Sequence, residues 1–292
     1  METNLQAELV LDCQNRLGEG PIWDHRSQEL IWVDIQGQKV HSYHPASARH
    51  TQIAVPEWIG TVVPAEPGKL IVALANGVFE LDRQSENLSL IVDPEPGNDE
   101  NRLNDGKCDP AGRLWVGSMP LSEDKPTGAL YRIEPDGRFE KMLSGLTIPN
   151  GLIWSHDRRT FYYIDTVWGH VKAFDYDLAS GDIRNGRIVI EIPEGMGFPD
   201  GMTIDEEGML WIALWGGCAV GRWHPETGEL LQTVSVPAAN VTACAFGGPD
   251  LATLYITCAR IKTDLEAFPM AGALFSVVPG VRGVESDFFV VS

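Results

Sequence analysis

One phrase recurs six times along the 292 residues, and that recurrence restricts the fold more than any other feature of the chain. Each copy opens on a residue that is usually polar and often followed by glycine. A short apolar stretch, a turn with Asp or Gly, and an aromatic-rich strand come next. The first copy runs Glu19-Gly-Pro-Ile-Trp-Asp24 and then Leu30-Ile-Trp-Val-Asp34. The others open at Ile59, Asn104, Asn150, Asp200 and, more weakly, Thr242, in steps of 40, 45, 46, 50 and 42 residues. A third strand follows each pair, as in Gly77-Val-Phe-Glu-Leu81 and Ala129-Leu-Tyr-Arg-Ile133. A fourth often follows a turn, as in Ile188-Val-Ile-Glu-Ile192.

Four short strands repeated at this period predict an all-β fold, namely a six-bladed β-propeller with four-stranded blades forming one domain over residues 1–292. The segment Leu5–Cys13 precedes the first copy and is expected to lend a strand to the last blade, closing the ring and hiding its edges. A β-sandwich or a pair of β domains is the competing arrangement, and the uninterrupted repeats argue against it. No helix of useful length is predicted, and the acidic stretch Asp93–Glu100 reads as a long loop.

Charge narrows the partners. With 41 acidic and 22 basic side chains the formal net charge is -19, which argues against nucleic acid or an anionic membrane as partner. Residues 1–14 carry Glu2, Glu8 and Asp12 and lack the basic start and apolar run of a signal peptide. The five cysteines are scattered, with no Cys-x-x-Cys pair, and are expected to be core-filling thiols in a reducing cytoplasm. What remains is a cation or a small polar molecule, bound by a monomer or weak homodimer.

In a propeller the first strand of each blade lines a central channel, so matched positions of the six copies should converge at one mouth. Those positions are Glu19, Ile59, Asn104, Asn150, Asp200 and Thr242, and only Ile59 is apolar. Oxygen donors with two negative charges suit a hard divalent cation such as calcium or magnesium, and would accept manganese or zinc. Glu19, Asn150 and Asp200 are therefore candidate metal ligands. Arg102, two residues before Asn104, either offers fork-shaped hydrogen bonds to a ligand at this mouth or forms a loop ion pair with Asp99 or Glu100. The seven histidines match no repeat position, and most are expected at the surface or in turns. Neither a Gly-x-Ser-x-Gly elbow nor a Walker lysine motif is present. Most of the nine tryptophans read as core, with Trp168 and Trp215 placed to reach the mouth.

Leu17-Gly-Glu-Gly-Pro-Ile-Trp23, Arg102-Leu-Asn-Asp-Gly-Lys107, Pro149-Asn-Gly151, Phe161-Tyr-Tyr-Ile-Asp165, Pro199-Asp-Gly-Met202 and Tyr255-Ile-Thr-Cys-Ala-Arg260 resemble the regucalcin and gluconolactonase (senescence-marker-protein) family, in order and over nearly the whole chain. Ala213-Leu-Trp-Gly-Gly217 and Phe246-Gly-Gly-Pro-Asp250 are closer to its bacterial sugar-lactonase members. The resemblance implies a six-bladed propeller and a lactone hydrolase that opens a gluconolactone-like or pentonolactone ring to the aldonic acid. It also implies one divalent cation on Glu19, Asn150 and Asp200. Calcium is expected first, with zinc, manganese, magnesium and ferrous iron as alternatives. Asp200 would double as general base, and Arg102 and Asn104 would bind substrate. Animal members carry a substrate-binding glutamate after the methionine matching Met119. Here that stretch is shortened, and Glu123 is the candidate for the role. A calcium-binding regulator without catalysis and an organophosphate hydrolase are the alternatives. The sparse ligand set leaves positions open, which favours an enzyme.

Overall fold

The computed structural model describes residues 5–290, and among these the chain is built almost wholly of antiparallel strands, with two short 3-10 turns, Pro45–Ser47 and Thr166–Trp168. Each copy of the phrase becomes the first two strands of a meander. Gly18–Asp24, Glu29–Asp34, Lys39–His44 and Arg49–Ala54 form one four-stranded sheet. The second, third and fourth copies form three more, opening on Ile59–Pro64, Asn101–Cys108 and Pro149–Trp154. The fifth and sixth copies open on Phe198–Ile204 and Asn240–Gly247. All six opening strands touch one another in cyclic order around an axis.

The expectation of six separate four-stranded blades requires correction. Strand pairing gives four four-stranded blades, and the remaining strands form a single nine-stranded sheet. The cause lies at the turn Gly216-Gly-Cys218. It packs against the link to the next copy, with the Cys218 N–H donating to the Ala239 carbonyl at 3.2 Å. That contact brings Trp215, the last residue of strand Leu210–Trp215, into register with Asn240, and their bridge joins the two copies.

The chain start acts as expected and goes further. Glu8–Leu11 pairs with Leu274–Val277 in the last copy, and Leu5–Gln6 also pairs, in parallel, with Leu230–Ser235 in the copy before it. Asp93–Glu100 is a loop, and Glu95 in it accepts hydrogen bonds from Asn98, Asn101, Ser118 and Tyr131. All five cysteines are free thiols, and Cys108, Cys244 and Cys258 are buried. Among the described residues no helix is long and apolar enough to cross a membrane.

Candidate functional site

Every one of the six opening strands changes pairing register at or just after its matched position. The shifts fall between Glu19 and Ile22, Ile59 and Thr61, Leu103 and Gly106, Asn150 and Leu152, Pro199 and Met202, and Val241 and Ala243. Such a bulge bends the strand and re-aims a side chain, here toward the axis. Four of the matched residues, Glu19, Asn104, Asn150 and Asp200, line one cavity of about 320 Å³. That volume is at the lower end of the roughly 300–1,000 Å³ usual for small-molecule sites. Arg102, Glu123 and Trp215 line it too, whereas Trp168 does not and instead stacks on His170.

The remaining matched positions stay out of the site. Ile59 is fully buried in the hydrophobic core. The Thr242 hydroxyl donates to the Gly18 carbonyl at 2.5 Å, a hydrogen bond between neighbouring opening strands.

A chain of hydrogen bonds crosses the cavity floor. Arg102 Nη1 donates to Asn104 Oδ1 at 2.7 Å and to the Leu103 carbonyl at 3.0 Å. Asn104 Nδ2 donates to Asn150 Oδ1 at 2.9 Å and to the Pro149 carbonyl at 2.8 Å. Asn150 Nδ2 in turn donates to Thr166 Oγ1 at 2.8 Å. Both amide orientations follow from this chain, which leaves Asn150 Oδ1 one lone pair for a further partner. The alternative of a loop ion pair between Arg102 and Asp99 or Glu100 is not realised among the described residues. The Arg102 guanidinium is buried beside Trp58, and among the described residues no protein acceptor meets Nε or Nη2.

The carboxylates are short of positive charge. Glu19 Oε2 accepts from the Gly20 N–H at 2.9 Å, while Asp200 Oδ1 is buried with no partner. Burial pushes the Glu19 carboxyl up to about 8, the charge of Asp105 adds to this, and the Gly20 N–H and Arg102 pull back. Asp200 is pushed well above the usual carboxylate range by burial and by the charges of Glu19 and Asp105. Two desolvated, mutually repelling carboxylates and an amide oxygen form a donor set that fits a hard divalent cation. No group of three or more His, Cys, Asp and Glu side chains among the described residues is arranged for a metal. A cation here would need Asn150 as a third protein donor and would keep open positions.

Asp105 was missed by the sequence reading. It lines a narrow cavity beneath the site together with Lys107, whose Nζ donates to the Met202 carbonyl at 2.9 Å. The signal for it lay in the third copy, Asn104-Asp-Gly106, where the glycine comes one residue late and the inserted residue is a carboxylate.

Known proteins share this architecture. The family described as "SMP-30/Gluconolactonase/LRE-like region" matches residues 17–260. Regucalcin from Danio rerio is 39% identical over 290 residues, covering 97% of each chain. The Bacillus subtilis (strain 168) protein named "Putative sugar lactone lactonase YvrE" is 38% identical over 275 residues, covering 93% of this chain and 94% of its own. The crystal structure of a calcium-binding protein, regucalcin, from Agrobacterium tumefaciens superposes with a TM-score of 0.94 at 29% identity, covering 99% of both chains.

Proposed function

The chain belongs to the SMP-30/gluconolactonase/LRE-like family, and from that premise we propose that it is a lactone hydrolase acting on a sugar lactone. The substrate is an aldonolactone of the gluconolactone or pentonolactone type, and the product is the aldonic acid. One observation carries this assignment. A single cavity joins an unpartnered buried carboxylate oxygen on Asp200 to the open donors of Arg102, so a proton acceptor and a hydroxyl-binding group face the same space.

Glu19, Asn150 and Asp200 would hold one divalent cation, calcium before zinc, manganese, magnesium or ferrous iron. Such a cation supplies Lewis-acid polarisation of a carbonyl and acidifies nearby water. Arg102 binds the sugar hydroxyls through Nε and Nη2, and its tie to Asn104 fixes the guanidinium plane. Asp200 Oδ1 takes a proton from the attacking water while hydroxide adds to the lactone carbonyl carbon. The bond from that carbon to the ring oxygen then breaks, and the proton passes from Asp200 to the departing alkoxide. Ile148, Phe198 and Trp215 give the cavity an apolar side beside these polar groups.

A pH-indicator assay with C5 and C6 sugar lactones, each with the five cations above, tests the assignment. Turnover should require a cation, and Asp200→Ala should lower it at least ~100-fold together with cation affinity. Absence of turnover under every condition overturns it. Tight calcium binding by calorimetry in that case would favour a regulator, as the name of the Agrobacterium protein suggests.

A further inference from the structure

Lys262 lines the same cavity, and its Nζ donates to Glu123 Oε2 at 2.7 Å. The two residues come from distant parts of the chain. Glu123 lies in the loop between strands Leu114–Pro120 and Gly128–Ile133, and Lys262 between Thr253–Ala259 and Leu274–Val277. Both have left-handed backbones, with φ of 59° at Glu123 and 54° at Lys262, a conformation uncommon for residues other than glycine. The surroundings of Lys262 are explicit. Buried Asn240 donates through Nδ2 to the Ile261 carbonyl at 3.0 Å, the Lys262 carbonyl at 3.3 Å and Thr263 Oγ1 at 3.0 Å. Glu123 is tied by its own N–H to the Pro120 carbonyl at 3.1 Å.

We propose that Lys262 is a positioning residue that holds Glu123 at the rim, keeping Glu123 Oε1 open to a distal substrate hydroxyl and Arg102 open to the rest of the sugar. This rests on the sugar-lactone assignment above. Glu123 already acts on Arg102 through its charge, so a carboxylate released from Lys262 would have the guanidinium as its next cationic partner. An ion pair between those two would occupy the donors that a substrate needs. Stability is not the purpose of the Lys262 pair. Its side chains are 62% and 39% exposed, and pairs in that setting contribute little to folding. The same weakness lets the two loops part and close again as a ligand enters.

Steady-state kinetics of wild type, Lys262→Met and Lys262→Arg on glucono-δ-lactone and on δ-valerolactone, which has no hydroxyls, test the proposal. For Lys262→Met the KM on the hydroxylated lactone should rise about five- to tenfold with kcat within about twofold, and the KM on δ-valerolactone should stay unchanged. Lys262→Arg should restore the KM, and about 1 M salt should move the wild-type value toward that of Lys262→Met by screening the pair. Thermal midpoints within about 2 °C of one another establish that both variants fold like the wild type. An equal KM rise on both lactones, or none on either, overturns the proposal while the lactonase assignment stands. A wild type inert toward every lactone overturns both.

Discussion

Gly151 shows why the recurring phrase carries glycine. A Cβ at this position would stand 2.6 Å from the Asp200 carbonyl oxygen, and one at Gly60 would stand 2.5 Å from the Asn104 carbonyl oxygen. Real Cβ atoms do not approach backbone that closely, so neighbouring opening strands can meet around the axis only where one of them lacks a side chain. The glycine beside Asn150 thus sets how near Asp200 can come to it. Gly151→Ala should push these strands apart, costing about 1–3 kcal/mol of stability as other overpacked sites do. The larger effect should fall on the site, with cation affinity and kcat/KM dropping by about tenfold or more, because catalytic groups tolerate little displacement. Urea unfolding and a metal titration of the variant measure the two effects. A Gly151→Ala protein with wild-type stability and wild-type cation affinity would show that the strands part without consequence.

The strands of the first blade bring a different group inside. Trp32, His41 and His50 stack face to face across three neighbouring strands, with ring centroids 4.8 Å apart for Trp32 and His41 and 5.2 Å apart for the two histidines. His41 Nδ1 and His50 Nε2 share a hydrogen bond of 3.0 Å. His41 is 1% exposed, an exception to the expectation that most histidines lie at the surface or in turns. Burial holds its pKa at about 3, and His50 and Lys39 push the same way. In the unfolded chain a histidine titrates near 6.5, so between about pH 6.5 and pH 3 the unfolded state binds the extra proton. Stability is therefore fully present above the unfolded value and is lost as pH falls through that window, by about 2 kcal/mol on reaching pH 5. In His41→Phe that part of the acid loss should vanish. Urea unfolding at pH 7 and pH 5 checks it, and equal losses in the two proteins would refute it. Local pattern revealed much of each blade but not this stack. In the third and fifth copies the phrase ends in Asp for a reason legible once the fold is known. Asp109 accepts Trp115 Nε1 at 3.0 Å and Arg113 Nε at 2.7 Å, and Asp205 accepts Trp211 Nε1 at 2.9 Å and Arg222 Nε at 2.6 Å. Repetition exposed Glu19, Asn104, Asn150 and Asp200 because each occupies the same place in its copy. Lys262 stands outside the phrase and meets Glu123 across 139 residues of sequence, a pairing with no local signature. The joining of the last two copies was hidden for the same reason, since the bridge from Trp215 to Asn240 depends on how one turn packs against a link.

At the scale of the molecule, closure depends on the first few described residues. The nine-stranded sheet has Leu5–Gln6 at one end of its strand order and Glu8–Leu11 at the other. Ala7 between them is buried, and its N–H donates to the Ser235 carbonyl at 2.9 Å. One short segment therefore covers the outer edge of Leu230–Ser235 and that of Leu274–Val277. Uncovered edges present rows of unpaired N–H and C=O groups to any other chain. A chain beginning at Asp12 loses both covers and keeps every residue that lines the cavity. Several backbone hydrogen bonds at about 1 kcal/mol each amount to roughly 3 kcal/mol or more, which corresponds to a fall of about 5–10 °C in the thermal midpoint. The shortened protein should also self-associate on warming, which light scattering would record alongside circular dichroism. A synthetic peptide of residues 1–11 supplied in excess should bind the free edges and raise the midpoint again, as an added strand does on an open sheet. A shortened chain that melts at the wild-type temperature and scatters no more light than the full chain would show that the sheet holds without its cover.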